Sequence, residues 1–229
     1  MKKNLSLNMT LAEKYTYCIE RFAKVMPNPK TELDYKTPFE LLVAVILSAQ
    51  CTDKRVNMIT PALLKAYPTP QAMAEASEDD IFNFIKTCSY PKAKAKHVHE
   101  MAQMLHSKFH DVIPDDVDLM QQLPGVGRKT ANVMAAVVFH KPAMAVDTHV
   151  FRVSARIGLV HNAKTPLETE KQLMKHIPSE LVHDMHHWLI LHGRYTCKAI
   201  NPDCAHCPIT EACAMFNHEN KQTNDLTIF

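Results

Sequence analysis

The sequence predicts an all-α protein. Glycine occurs only 4 times in 229 residues, while apolar residues recur at helical spacing along the whole chain. No run alternates apolar and polar residues between turn signals, as a half-buried strand would.

The first helix runs from Thr10 to Met26, with Leu11, Tyr15, Cys18, Ile19 and Phe22 on one face and Pro27 and Pro29 ending it. Thr37-Pro38 opens the second, and Phe39 to Gln50 is apolar nearly all round, which predicts a buried central helix. Asp53 to Ala66, Glu78 to Thr87 and Lys94 to Phe109 read as amphipathic segments, the first split or bent by Pro61. Pro68, Pro70 and Pro91 punctuate this stretch. Asp115 to Leu123 is a short helix, and Gly127 to Phe139 a longer, strongly apolar one. Thr148 to Ile157, Leu167 to His176 and Ser179 to Leu191 bring the expectation to about ten helices. Cys18, Cys51 and Cys88 fall on apolar helix faces and read as core residues. The tail after Cys213 is polar and expected to fray.

The length suits one large domain or two small lobes, and a composition 46% hydrophobic and 22% charged is that of a soluble globular protein. No apolar signal region follows Met1-Lys2-Lys3, and the longest apolar run, Leu41 to Leu47, is far short of the ~20 residues of a membrane span. No membrane association is expected, and a cytoplasmic location is. There cysteines serve as metal ligands or buried thiols rather than as disulfides. A formal net charge of +2 permits nucleic-acid binding without arguing for it.

Cys197, Cys204, Cys207 and Cys213 form C-x6-C-x2-C-x5-C, a density of thiols that indicates a metal site. Zinc favours such donor sets, yet a zinc ribbon presents two C-x2-C pairs, and only Cys204 with Cys207 has that form. An iron–sulfur cluster also takes four thiolates from such a run. Spacing leaves both open.

Two of the glycines sit in Leu123-Pro124-Gly125-Val126-Gly127, between two helical segments. Gly125 permits positive φ and close backbone approach, and the helix N-terminus after Gly127 favours an anion. A bare helix–helix turn needs no second glycine, so a phosphate grip is the better reading. A Walker A loop is excluded, since Arg128 precedes Lys129-Thr130 and no strand feeds the turn. Lys129, in the first turn, meets the positive end of the helix dipole; dipole and desolvation would both lower its pKa toward a usable amine. A phosphate-contacting lysine is the alternative, and the residues alone leave both standing. Asp147 precedes the periodic Val150, Phe151 and Val153 as an N-cap. A carboxylate fixed in that way is also rigidly aimed, and opposite Lys129 it could deprotonate the amine or stabilise a developing sugar cation.

Three segments, 123–132, 145–153 and 187–197, together with the cysteine run, resemble the endonuclease III family, in family order and over about Pro38 to Cys213. The resemblance implies two helical lobes with a DNA cleft between them. One is a six-helix barrel with a helix-hairpin-helix over 31–141; the other joins 1–30 to 142–213 around a [4Fe–4S] cluster on the four cysteines, with 214–229 as tail. It implies a monomeric, nucleoid-associated base excision repair enzyme on double-stranded DNA carrying damaged bases or abasic sites. Lys129 is then the nucleophile that forms a Schiff base, removes oxidised pyrimidines and cuts 3′ to the abasic sugar by β-elimination, with Asp147 as its partner. Gln50, in Leu47-Ser-Ala-Gln50, fills the gap left by the flipped base, and Tyr90 is the intercalating wedge. Gly125, Gly127, Arg128, Arg194 and Lys198 complete the DNA contacts.

Lys92, Lys94 and Lys96 read either as phosphate contacts or as a solvated face. The chain departs from the family pattern at Tyr90, which no glycine precedes, and at Gln121 and Gln122, where relatives often carry a glutamate. The loop from Lys198 to Asp203 has one basic residue where relatives often have several. An adenine-mismatch glycosylase is disfavoured by apolar Val45 at the position of its pocket acid. A purely architectural DNA-binding protein is disfavoured by the pairing of Lys129 with Asp147.

Overall fold

The computed structural model describes residues 9–218. Among these the regular structure is helical: α1 (Leu11–Val25), α2 (Pro38–Ser48), α3 (Asp53–Ala66), α4 (Pro70–Glu75), α5 (Glu78–Ile85), α6 (Pro91–Phe109), α7 (Val117–Met120), α8 (Arg128–Val137), α9 (Thr148–Ile157), α10 (Pro166–His176) and α11 (Val182–Tyr195). None is long and apolar enough to cross a membrane. The chain divides into two compact units, Thr31–Lys141 and Met1–Lys30 with Pro142–Phe229.

Local chemistry sets where these helices start. Thr10, Thr37, Thr52, Thr69 and Thr165 are N-caps whose hydroxyls accept a backbone N–H from the first turn, each contributing about 1 kcal/mol. Three of them precede a proline at the first helical position, where no N–H is needed. The Thr69-Pro70 signature opens α4, a six-residue helix that periodicity alone had not suggested. Likewise α6 begins at Pro91 rather than at Lys94. The helix expected from Asp115 shrinks to Val117–Met120, because Asp116 caps it from outside. Ser179–Leu181 is a 3-10 turn leading into α11, which continues to Tyr195.

In the unit 31–141, α2 is central: Phe39 and Leu41 through Leu47 are all buried, and α3, α6 and α8 pack against it. Helix α3 runs unbroken through Pro61. Pro61 lies on the exposed face of the helix, and its ring leaves one carbonyl of α3 without an intrahelical donor. Cys88 is buried as expected but lies in the turn between α5 and α6, and Cys51 is half-buried in the turn after α2; neither is on a helix face.

The other unit closes around Tyr15, Cys18 and Phe22 of α1, Val150, Val153 and Ile157 of α9, and Met185, Trp188 and Leu189 of α11. Phe22 stacks on Trp188 at 6.1 Å; burying such a ring contributes roughly 2–3 kcal/mol. Both polar handles in this core are satisfied: Tyr15 Oη donates to Leu159 O at 2.9 Å and Trp188 Nε1 to Met26 O at 2.8 Å. Residues 214–218, expected to fray, form a helical turn. The rest of the polar tail and the N-terminal segment 1–8 lie outside the described residues.

Pro61 lacks the N–H that an interior helix position uses, so Pro61→Ala is expected to stabilise the protein. The gain should be about 1–2 kcal/mol, less than the full propensity difference because proline also restricts the unfolded chain. Urea unfolding checks it: a midpoint that stays or falls would show that the ring's packing outweighs the restored hydrogen bond.

Candidate active site and metal centre

Leu123 and Val126 are buried and anchor the turn between α7 and α8. They leave Gly125, Gly127, Arg128 and Lys129 exposed. The two glycines are there for different reasons. Gly125 has φ +77°, and a Cβ on it would stand 2.9 Å from Cβ of His97, so the fold itself demands glycine. Gly127 is the N-cap of α8 with φ −87° and ψ 177°, extended backbone open to any residue. A Cβ there would meet nothing within 4 Å. The chain's own packing therefore does not require glycine at position 127.

Helix α8 also differs from the threonine-capped helices: no side chain caps it, and Arg128 and Lys129 open it with no acidic residue beside them in the first turn. An anion is the ligand that dipole, backbone and side chains all favour there. Lys129 occupies the first turn as expected. The expected desolvation is absent from the chain itself, since the residue is exposed.

Asp147 caps α9. Its Oδ1 accepts from the N–H groups of His149 and Val150, each at 2.8 Å. Oδ2 lies 3.1 Å from His149 Nδ1. Three hydrogen bonds thus fix a half-buried carboxylate, and His149, next to it in Asp147-Thr148-His149, is a member of the site that the sequence reading had not singled out.

Gln50 and Tyr90 lie in the same unit as the hairpin, both exposed and both left-handed, at φ 52° and 53°. The hydroxyl of Ser89 donates to the carbonyl of Gln50, joining the two turns. Lys94 is neither a phosphate contact nor part of a solvated face. It is 5% exposed, with Nζ donating to Leu47 O at 2.8 Å and Ala49 O at 2.6 Å. Its spacing with Val98, Met101 and Leu105 places it on the apolar face of α6 and could have revealed this.

The four cysteines follow α11 in the other unit. Their thiols share one neighbourhood: burial, first, pushes Cys207 up to about 11, and the charges of Cys213, Cys197 and Cys204 add to it. Cys213 is raised too, by burial and by Cys197 and Cys204. Four clustered thiols, two of which resist ionisation by themselves, suit a cationic metal centre, which reverses that preference. Among the described residues no three donors converge as a single-ion site would require.

Two arginines one turn apart on α9 grip the backbone of this loop. Arg152 Nη2 donates to Gly193 O at 2.9 Å and Cys197 O at 3.2 Å. Arg156 donates to Lys198 O at 2.7 Å, to Ala199 O at 3.0 Å and to Cys197 Sγ at 3.5 Å. His192, buried and with its pKa pushed down to about 4 by desolvation, sits 3.7 Å from Cys207 Sγ as a neutral ring. Arg194 is half-buried near the end of α11, and Lys198 is exposed beside Cys197.

Residues 43–179 match the family described as HhH-GPD superfamily base excision DNA repair protein, the class to which hairpin and fold point. An endonuclease III of Rickettsia conorii is 50% identical over 194 residues, covering 85% of this chain and 92% of its own. That of Escherichia coli K12 is 43% identical over 195 residues, covering 85% and 92%. A solved structure of a trapped endonuclease III–DNA covalent intermediate, in an estranged-adenine complex, superposes with a TM-score of 0.87 at 42% identity, over 93% of this chain and all of that one. The chain belongs to the endonuclease III family.

The contrast between the two hairpin glycines is measurable. Gly125→Ala is expected to destabilise by about 1–3 kcal/mol, from the left-handed backbone and the clash with His97, and Gly127→Ala by less than about 0.5 kcal/mol. Binding to a duplex should nevertheless weaken in Gly127→Ala. Equal losses of stability in the two variants would remove the distinction.

Proposed function

We infer that the protein is a bifunctional DNA glycosylase and abasic-site lyase of base excision repair, acting as a monomer on double-stranded DNA in the nucleoid and removing oxidised pyrimidines. The observation that carries this is Lys129 in the first turn of α8, two residues beyond a glycine the fold does not need, in a chain 42–50% identical to endonucleases III.

The chemistry follows from these groups. Backbone N–H groups of the hairpin, with Arg128, hold a phosphate and so place the sugar of an extruded nucleotide within reach of Lys129. The amine of Lys129 forms a bond to C1′ as the bond from C1′ to the base breaks, and the base leaves with a proton. Opening of the sugar ring gives a Schiff base between C1′ and Nζ. Loss of a C2′ proton then expels the 3′-phosphate, and hydrolysis of the imine returns the amine.

Asp147 stabilises cationic character at C1′ and takes up the proton the amine must lose. Its Oδ1 is committed to the α9 N-terminus, and His149 orients Oδ2. Gln50 fills the space left in the duplex, Tyr90 enters the stack, and Arg194 and Lys198 contact phosphates.

Cys197, Cys204, Cys207 and Cys213 would hold a [4Fe–4S] cluster, whose bound iron stabilises the thiolates and thereby the loop carrying Lys198. Arg152 and Arg156 hold that loop's carbonyls from the protein side.

Borohydride should reduce the Schiff base to a stable protein–DNA adduct on a thymine-glycol duplex. Lys129→Gln is expected to abolish adduct and nick while retaining DNA binding. Asp147→Asn keeps much of the cap but should slow base release by about 10²–10⁴-fold. An adduct persisting in Lys129→Gln would assign the chemistry to another amine. For the metal centre, anaerobically purified protein should be yellow-brown with broad absorption near ~400 nm. Cys204→Ser should lose iron and colour, whereas stoichiometric zinc in a colourless native protein would overturn the cluster.

A further inference from the structure

Lys94 is a buried cation that none of the chemistry above uses. An ammonium has three donors and is seldom withdrawn from water unless all of them are engaged. Here they meet Leu47 O at 2.8 Å, Ala49 O at 2.6 Å and Cys88 Sγ at 3.3 Å. Leu47 and Ala49 carry carbonyls at the C-terminal end of α2, where the helix dipole is negative and a cation is stabilised. A surface helix end could leave such carbonyls to water; this one is tied instead to the start of α6.

The two segments it ties are those of Gln50 and Tyr90. Gln50 follows Ala49 directly, and Tyr90 stands two residues after Cys88. Cys88 Sγ also donates to Leu47 O at 3.4 Å. Both Gln50 and Tyr90 are non-glycine residues in the left-handed region. Such backbone persists where its surroundings impose it, and it concentrates at ligand clamps. The side chains themselves are exposed, Tyr90 by 65%, so their own packing does not impose it. The bonds of Lys94 and Ser89 lie directly beneath them.

We propose that Lys94 is a positioning residue for base extrusion: its ammonium holds the turn carrying Gln50 against the turn carrying Tyr90, so that plug and wedge enter the duplex together. This rests on the reading of those two residues as DNA-contacting groups. Lys94 touches neither substrate nor the reacting atoms, so its removal should affect extrusion and leave the amine chemistry of Lys129 intact.

The test compares two substrates on the full-length protein: base removal from a thymine-glycol duplex, which requires extrusion, and cleavage of a single-stranded abasic oligonucleotide, which does not. In Lys94→Met the ratio of duplex to single-strand rates should fall at least about tenfold. Lys94→Arg keeps the charge but not three convergent donors, and should give an intermediate ratio. Rates that fall in parallel, or a ratio unchanged in Lys94→Met, overturn the proposal. If Lys94→Met does not fold, Lys94→Arg carries the test, and an unchanged ratio there overturns it. Gln50→Ala and Tyr90→Ala separate the two layers. If both leave the ratio unchanged, the plug-and-wedge reading fails and this inference with it. If they lower it and the Lys94 variants do not, only the inference fails.

Discussion

An α-helix leaves four N–H groups and four carbonyls without intrahelical partners at its ends. With regular structure that is helical throughout the described residues, how each end is satisfied separates the scaffold of this protein from its working parts. Thr10, Thr37, Thr52, Thr69 and Thr165 close their helices with their own hydroxyls, and those ends are structural. The N-terminus of α8 begins instead on glycine and offers its field to an anion. Asp147 caps α9 with one oxygen and presents the other to His149. The C-terminal carbonyls of α2 take the ammonium of Lys94, and those of α11 take the guanidinium of Arg152.

That distribution has a physical rationale for an enzyme acting on DNA. Phosphate is best bound by oriented backbone donors and cations, and an uncapped helix start supplies both without a flexible side chain. In the proposed mechanism Lys129 sits in that same turn, at the positive end of the helix dipole. Elsewhere, the buried Lys94 and the half-buried Arg152 and Arg156 hold backbone carbonyls, fastening loops to helices by charge-assisted hydrogen bonds.

The cysteine loop shows the same economy of means. Between Cys197 and Cys213 there is little apolar side chain beyond Ile209 and Ala212 to build a core, and the loop is held from α9 by arginines and from α1 by Arg21, whose Nε donates to Pro208 O at 3.1 Å. Burial raises the pKa of Cys207 and Cys213 and so favours their protonated form. A cluster would therefore couple the local fold to metal binding.

Most of the helices were legible in the sequence, because apolar periodicity and Thr-Pro starts are local signals. The apolar α2, the glycines of the hairpin, Lys129, the Asp147 cap and the four-cysteine run all belong to that class. Tertiary structure decided what depends on neighbours distant in sequence. Helix α3 passes through Pro61 because the ring happens to face solvent. Lys94 looked like one of three surface lysines, and its burial depends on the end of α2 some 45 residues earlier. Gly125 and Gly127 are alike in sequence; only the position of His97 shows that the fold needs the first and not the second. Periodicity reports which face of a helix is apolar, whereas the partner of a buried charge and the space beside a backbone atom exist only after the chain has folded.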